Sequence, residues 1–199
     1  MKKIAVIISL VFLVTLGCTT TRQSDSREEP ALRTAYNIWK LKDYNMKCIN
    51  YKYGRNFIPA GTSVRDVRIV TDEETLMEKI RFRTVDECRT YGIYFVPKWH
   101  PGKTIKDYKD YMFTPKPFDE LTRGMSDAEI DAIKNGVLVK GMSKQALLVC
   151  YGPPPEHATA SLDDSVWTYW KNKFGRIRIW FDEDNRISKY RGAPLSNPR

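Results

Sequence analysis

Gly141-Met142-Ser143-Lys144-Gln145-Ala146-Leu147-Leu148-Val149-Cys150-Tyr151-Gly152-Pro153-Pro154-Pro155 is the stretch on which the fold turns. Ser143 suits a helix N-cap, because its hydroxyl can accept an otherwise unpaired N–H of the first turn. The apolar run to Cys150 reads as that helix, with Cys150 as a small core residue. Gly152 ends it, and the prolines, which have no N–H to donate, stop it from continuing. Upstream, Ser126-Asp127-Ala128-Glu129 is a capping box, in which serine and glutamate satisfy each other's helix-end N–H groups. The helix it opens closes at Asn135-Gly136, where glycine tolerates the left-handed cap. Downstream, residues 166–170, 176–181 and 186–190 read as strands. Ile177, Ile179 and Phe181 alternate onto one face, and Asp182-Glu183-Asp184-Asn185 reverses the chain. Two helices followed by a meander predict an ααβββ domain over residues 119–191, with helices on one sheet face.

The chain before this unit predicts a different texture, giving an α+β fold overall. Residues 36–100 read as a small antiparallel β domain, for which an SH3-like barrel is a candidate. Met46 to Tyr53 is strand-like, Phe57-Ile58-Pro59-Ala60-Gly61-Thr62 is a turn, and 63–70 and 76–83 form a hairpin about Asp72-Glu73-Glu74. Residues 91–96 are the last strand. Residues 101–118 read as a connector carrying one helix, with Ile105, Tyr108 and Met112 at helical spacing. Residues 192–199 are a tail.

The N-terminus is read as an export signal. Lys2 and Lys3 precede an uncharged apolar run to Gly17. That run is shorter than the roughly 20 residues a membrane span needs, and fits a secretory signal. It ends Thr15-Leu16-Gly17-Cys18, which resembles a bacterial lipobox. The resemblance implies cleavage after residue 17 and acylation of Cys18, with Thr19 in the next position favouring the outer membrane. Two or more acyl chains would anchor stably where one alone is marginal. Residues 18–35, rich in Thr, Ser, Arg, Asp and Glu, read as a disordered tether.

Loss of residues 1–17 removes Lys2 and Lys3 and no acid, so the formal charge falls from +9 to +7. Behind a secretory signal this excess points either to acidic lipid, glycan or protein surfaces or simply to solubility, and not to nucleic acid. With Cys18 acylated, Cys48, Cys88 and Cys150 remain. The oxidising periplasm permits a Cys48–Cys88 bridge, which on the chain-entropy model would contribute roughly 4 kcal/mol. There is no CxxC motif, so no metal is expected. Asp182-Glu183-Asp184-Asn185 lacks calcium-loop spacing. His100 and His157 belong to no nucleophile–base motif, so an enzyme is not expected, nor a cofactor.

The Gly141-Met142-Ser143 helix start, the Tyr151-Gly152-Pro153-Pro154 exit and the Trp167-Thr168-Tyr169-Trp170 strand leading to Phe181-Asp182 resemble the BamE (SmpA/OmlA) lipoprotein family. The resemblance covers residues 120–190. It implies an outer-membrane lipoprotein carrying an ααβββ binding module, in a family whose best-known member assists insertion of β-barrel proteins.

Arg176, Arg178 and Trp180 alternate with the apolar set and therefore face away from the helices. Trp and Arg are enriched at binding hot spots. Trp167 and Tyr169 on the neighbouring strand are expected to join them. Either this face binds a partner, or it packs on the β domain. The expected function is a lipid-anchored protein-binding module in envelope biogenesis, on the periplasmic side of the outer membrane. The alternative is binding of peptidoglycan or anionic lipid through the basic β domain.

Overall fold

The computed structural model describes residues 31–40 and 45–193. The expected signal segment, Cys18, the tether up to residue 30 and the tail from residue 194 lie outside these residues. The fold is α+β. Its first layer is built on a hairpin of β5 (Ser63–Thr71) and β6 (Glu78–Thr84). The tip is fixed by Asp72, whose Oδ1 accepts hydrogen bonds from the N–H and hydroxyl of Thr75 at 3.0 and 2.9 Å. A further strand, β7 (Thr90–Tyr94), extends the sheet. Ile80, Phe82, Tyr91 and Ile93 alternate onto its buried face. Three short strands complete it: β1 (Leu32–Thr34), β3 (Asn45–Lys47) and β8 (Phe113–Thr114). The order is β3-β7-β6-β5-β1-β8.

Several expectations are corrected here. The sheet is mixed, because β3 runs parallel to β7. Among the described residues its outermost strands, β3 and β8, do not pair, so it is an open sheet and not a barrel. The tether does not extend to residue 35: Leu32–Thr34 pairs with both β5 and β8, and Thr34 is fully buried. The expected strand over 46–53 stops at Lys47, where the chain turns and Asn50 takes φ +48°. The connector belongs to this first core. Its helix α1 (Ile105–Met112), started by a Thr104/Asp107 capping box, buries Ile105, Tyr108 and Met112 against the sheet.

The second layer has the two helices and three strands read from sequence, preceded by a short helix that the sequence reading did not give. Helices α2 (Phe118–Leu121), α3 (Asp127–Asn135) and α4 (Lys144–Tyr151) precede β9 (Val166–Trp170), β10 (Arg176–Phe181) and β11 (Ile187–Arg191). The strands form an antiparallel sheet in the order β11-β10-β9. Both predicted N-caps are made, by Ser126 and Ser143, and Gly136 takes the left-handed cap at φ +63°. One carboxylate serves both helix starts. Glu129 accepts from the Ser126 N–H and hydroxyl, each at 2.9 Å, and from the Ser143 N–H at 2.8 Å. Cys150 is fully buried in the core beneath.

The two layers share residues. A two-strand pair, β2 (Ile38–Trp39) with β4 (Phe57–Ile58), carries Trp39 out of the first layer into the second core. A buried polar seam holds this crossing. Asn37 donates to the Ile133 carbonyl at 2.7 Å and accepts the Ala60 N–H at 2.8 Å. Asn50 accepts the Trp39 N–H at 2.9 Å and donates to the carbonyls of Asn37 and Tyr151 at 3.0 and 3.3 Å. Lys52 lies in the same seam, almost fully buried, and donates to the Asn50 carbonyl at 2.6 Å. Its amine is boxed by Trp39, Tyr151 and Tyr169, with ring centres 4.9, 5.4 and 5.5 Å from Nζ. Burial pushes the amine well below the usual lysine range.

Candidate functional site

The register of the second sheet decides which residues can meet a partner. Ile177 lies opposite Tyr169 and Ile179 opposite Trp167. Residues directly opposite across an antiparallel ladder point to the same side. Trp167 and Tyr169 therefore join the core under the helices, and both are buried. The expectation that they share a face with Arg178 and Trp180 is overturned. The Tyr169 hydroxyl donates to the Gly152 carbonyl at 2.9 Å, a structural bond at the helix exit.

The open face is made by the other parity. Arg176 faces Trp170, Arg178 faces Thr168, and Trp180 faces Val166. From the other side β11 adds Arg191 opposite Arg178 and Lys189 opposite Trp180. Arg176, Arg178, Lys189 and Arg191 are exposed, and Trp170 and Trp180 are partly so. This face is not buried against the first layer, so the packing alternative is excluded for these residues. Shallow depressions run along it, one lined by Trp170, Phe174, Arg178 and Arg191 and another by His157, Thr168, Arg176 and Trp180.

Cations brace the aromatic planes. The Arg176 guanidinium lies 4.7 Å from the Trp170 ring centre, and Lys189 Nζ lies 4.7 Å from that of Trp180. Such stacking contributes about 0.5–1 kcal/mol at an exposed site and limits side-chain freedom before any partner arrives. Trp170 is fixed again at its edge, where its Nε1–H donates to His157 Nε2 at 3.0 Å. The other ring nitrogen of His157 is 2.7 Å from the Trp99 carbonyl, an acceptor only. That pairing requires the proton on Nδ1 and leaves Nε2 to accept. The first layer thus positions a tryptophan of the second. Among the described residues none of the four cations of the face makes an ion pair.

Sequence reasoning named Arg176, Arg178 and Trp180 on this face but missed Trp170, His157, Lys189 and Arg191. Val166-Trp167-Thr168-Tyr169-Trp170 carries aromatics on both parities, so alternation alone cannot say which side is buried. The cross-strand register was the missing signal.

The Cys48–Cys88 bridge is not formed, and all three described cysteines are free. Cys48 pairs its N–H with the Tyr94 carbonyl at one end of β7, whereas Cys88 lies in the turn before the other end. A five-residue strand separates them by roughly 16 Å, well beyond the ~7 Å Cα limit for a disulfide. Burial pushes the Cys48 thiol up to about 12. Among the described residues no cluster of His, Cys, Asp or Glu could hold a metal ion, and no helix is long and apolar enough to cross a membrane.

Comparison with models of protein families, with characterised proteins and with solved structures gave no match.

Proposed function

We propose that this chain is a non-enzymatic, lipid-anchored envelope module that holds a partner protein on the open face of its β9–β11 sheet. The observation that carries the reading is the row of cations, without an ion pair among the described residues, interleaved with braced tryptophans, Arg176 with Trp170 and Lys189 with Trp180. Tryptophan and arginine supply large contact area and directed hydrogen bonds at low entropic cost, which is why they dominate hot spots. The anchor rests on the export signal and on Cys18. The resemblance of residues 120–190 to the BamE (SmpA/OmlA) family, with the α3-α4-β9-β10-β11 order, supports an outer-membrane site and a role in envelope biogenesis. The test is a photo-crosslinking residue at position 178 in living cells. A discrete protein adduct there, absent with the residue at exposed position 131 on α3, supports the reading. No adduct at position 178 contradicts it. Mass spectrometry of the mature N-terminus tests acylation of Cys18.

A second reading draws on the outer face of the first sheet. Arg65 lies opposite Arg83 and Arg68 opposite Arg81. Like charges placed directly across a ladder are destabilising, so a row of them suits an anionic surface such as peptidoglycan or acidic lipid. Cosedimentation with peptidoglycan sacculi separates the two readings, because retention that survives Arg178→Ala but not Arg68→Ala with Arg81→Ala favours the second.

A further inference from the structure

A recess of about 450 Å³ opens between α1, the end of α4 and the loop after the triple proline. Leu148, Val149, Pro153, Pro154 and Leu162 give it an apolar wall. Two charged side chains line it as well, Glu156 and Lys103. The floor is rigid. Tyr36 is nearly fully buried and packs its ring onto Gly152, where an added Cβ would lie 2.7 Å from ring carbons.

Glu156 is the unusual group. His100, whose side chain is fully buried, lies with Nδ1 2.8 Å from Glu156 Oε2, and the Tyr108 hydroxyl donates to the same oxygen at 3.1 Å. Among the described residues, Oε1 accepts no hydrogen bond from another residue. Burial works against ionisation here, but the hydrogen bonds from His100 and Tyr108 hold the carboxyl below its usual range. The result is a mostly buried carboxylate, fixed by one oxygen, with the other unclaimed beside an apolar cavity. An unclaimed carboxylate oxygen in such surroundings calls for a charged N–H donor. Lys103 does not supply it, for it makes no ion pair with Glu156 and lies over the Tyr111 ring, 5.5 Å from its centre.

We infer that this recess binds an apolar residue with a free α-amino group, the ammonium on Glu156, the apolar side chain against Leu148, Val149 and Leu162, and the adjoining carboxyl or carbonyl oxygen on Lys103. Charge complementarity selects this chemistry: a simple hydrocarbon would leave Glu156 Oε1 without a donor, and a fatty acid would bring a second anion to it. A free amino acid and the N-terminal residue of a peptide both carry these groups.

The test is titration of the purified, isotope-labelled protein with leucine, leucyl-glycyl-glycine and N-acetylleucine, followed by amide resonances. Leucine or the tripeptide is expected to shift Val149, Glu156 and Leu162 at millimolar concentration, and N-acetylleucine, which lacks the ammonium, is not. Tighter binding of the tripeptide assigns the site to peptide N-termini, and tighter binding of leucine assigns it to free amino acids. Glu156→Gln is expected to weaken binding by about tenfold or more, since it removes a charge-assisted bond. Should that variant unfold through loss of the His100 contact, Ala160→Trp, at an exposed wall position, fills the recess without touching His100 or Tyr108 and is expected to abolish the shifts. Absence of shifts with both free amines, or equal binding of N-acetylleucine, overturns the inference.

Discussion

Arg178 stands directly opposite Arg191 across the β10–β11 ladder, and among the described residues neither has a carboxylate partner. The pair is a cost to the free protein, since like charges in this position repel. Arg191→Glu turns it into an attractive pair and is expected to stabilise the fold by roughly 0.2–1 kcal/mol. The same change should weaken partner capture. Urea unfolding of the variant measures the first effect, and crosslinking from position 178 the second. Loss of stability without loss of capture would mean that the pair serves packing.

Glu129 links α3 to α4 through one carboxylate. Burial disfavours its charge, but the hydrogen bonds from Ser126 and Ser143 outweigh this and hold it at about 2, against an ordinary 4.5. A depressed carboxyl contributes stability above its unfolded pKa, and that contribution is lost as pH falls through the folded value. The window is therefore from about 4.5 down to about 2. Glu129→Ala is expected to cost about 2–3 kcal/mol at neutral pH and to flatten the acid limb of the stability profile in that window. Chemical denaturation at several pH values measures both.

Lys52 should show the same sign by a different route. Its buried amine is pushed below the unfolded value near 10.5. Between the folded and unfolded values the unfolded chain binds the extra proton, so stability rises with pH through that window. Lys52→Met keeps the chain volume inside the ring box and removes the titration. The variant is expected to be more stable than the wild type at neutral pH, by about 1 kcal/mol or more. The gap should close as pH approaches 10.5. A constant gap across pH would show that the amine does not titrate within the seam.

Asn37 ties three segments with one amide. Its side chain bonds the Ile133 carbonyl and the Ala60 N–H, both buried. Asn37→Leu leaves those two groups without partners, and each such loss costs about 1–3 kcal/mol. Thermal unfolding should fall markedly while the folded variant keeps its far-ultraviolet spectrum. A loss below ~1 kcal/mol would mean that water replaces the amide.

The free thiols give a direct chemical check. Cys88 is exposed, whereas Cys48 and Cys150 are buried. Native alkylation is expected to label Cys88 fast, with Cys48 and Cys150 reacting only on unfolding. Protection of Cys88 together with Cys48 under non-reducing conditions would indicate the bridge that the strand geometry rules out.

The legible parts of the sequence were those whose signals are local. Ser126, Ser143, Gly136 and the proline run mark helix ends by chemistry confined to one turn, and the two helices stand where those residues put them. Ile177, Ile179 and Phe181 marked a buried strand face by alternation. What stayed hidden depends on distant partners. Leu32–Thr34 looks like tether until β5 and β8 supply its hydrogen bonds. Lys52 lies unmarked in a stretch that reads as strand, and only the fold surrounds it with Trp39, Tyr151 and Tyr169. Asn50 falls in a stretch that reads as strand and Asn37 carries no local signal, yet their side chains join the two cores. The side occupied by Trp167 and Tyr169 followed from register, which no single strand contains.

The proposed function stands or falls with partner binding on the exposed face of β9–β11. The measurement that tests it most directly is affinity capture from cells carrying Arg178→Ala with Trp180→Ala, quantified against wild type and accompanied by thermal unfolding of the purified variant. The partner recovered by wild type should be lost, with a melting temperature close to wild type because both side chains lie on the open side of the sheet. Undiminished capture by a folded variant would contradict the account.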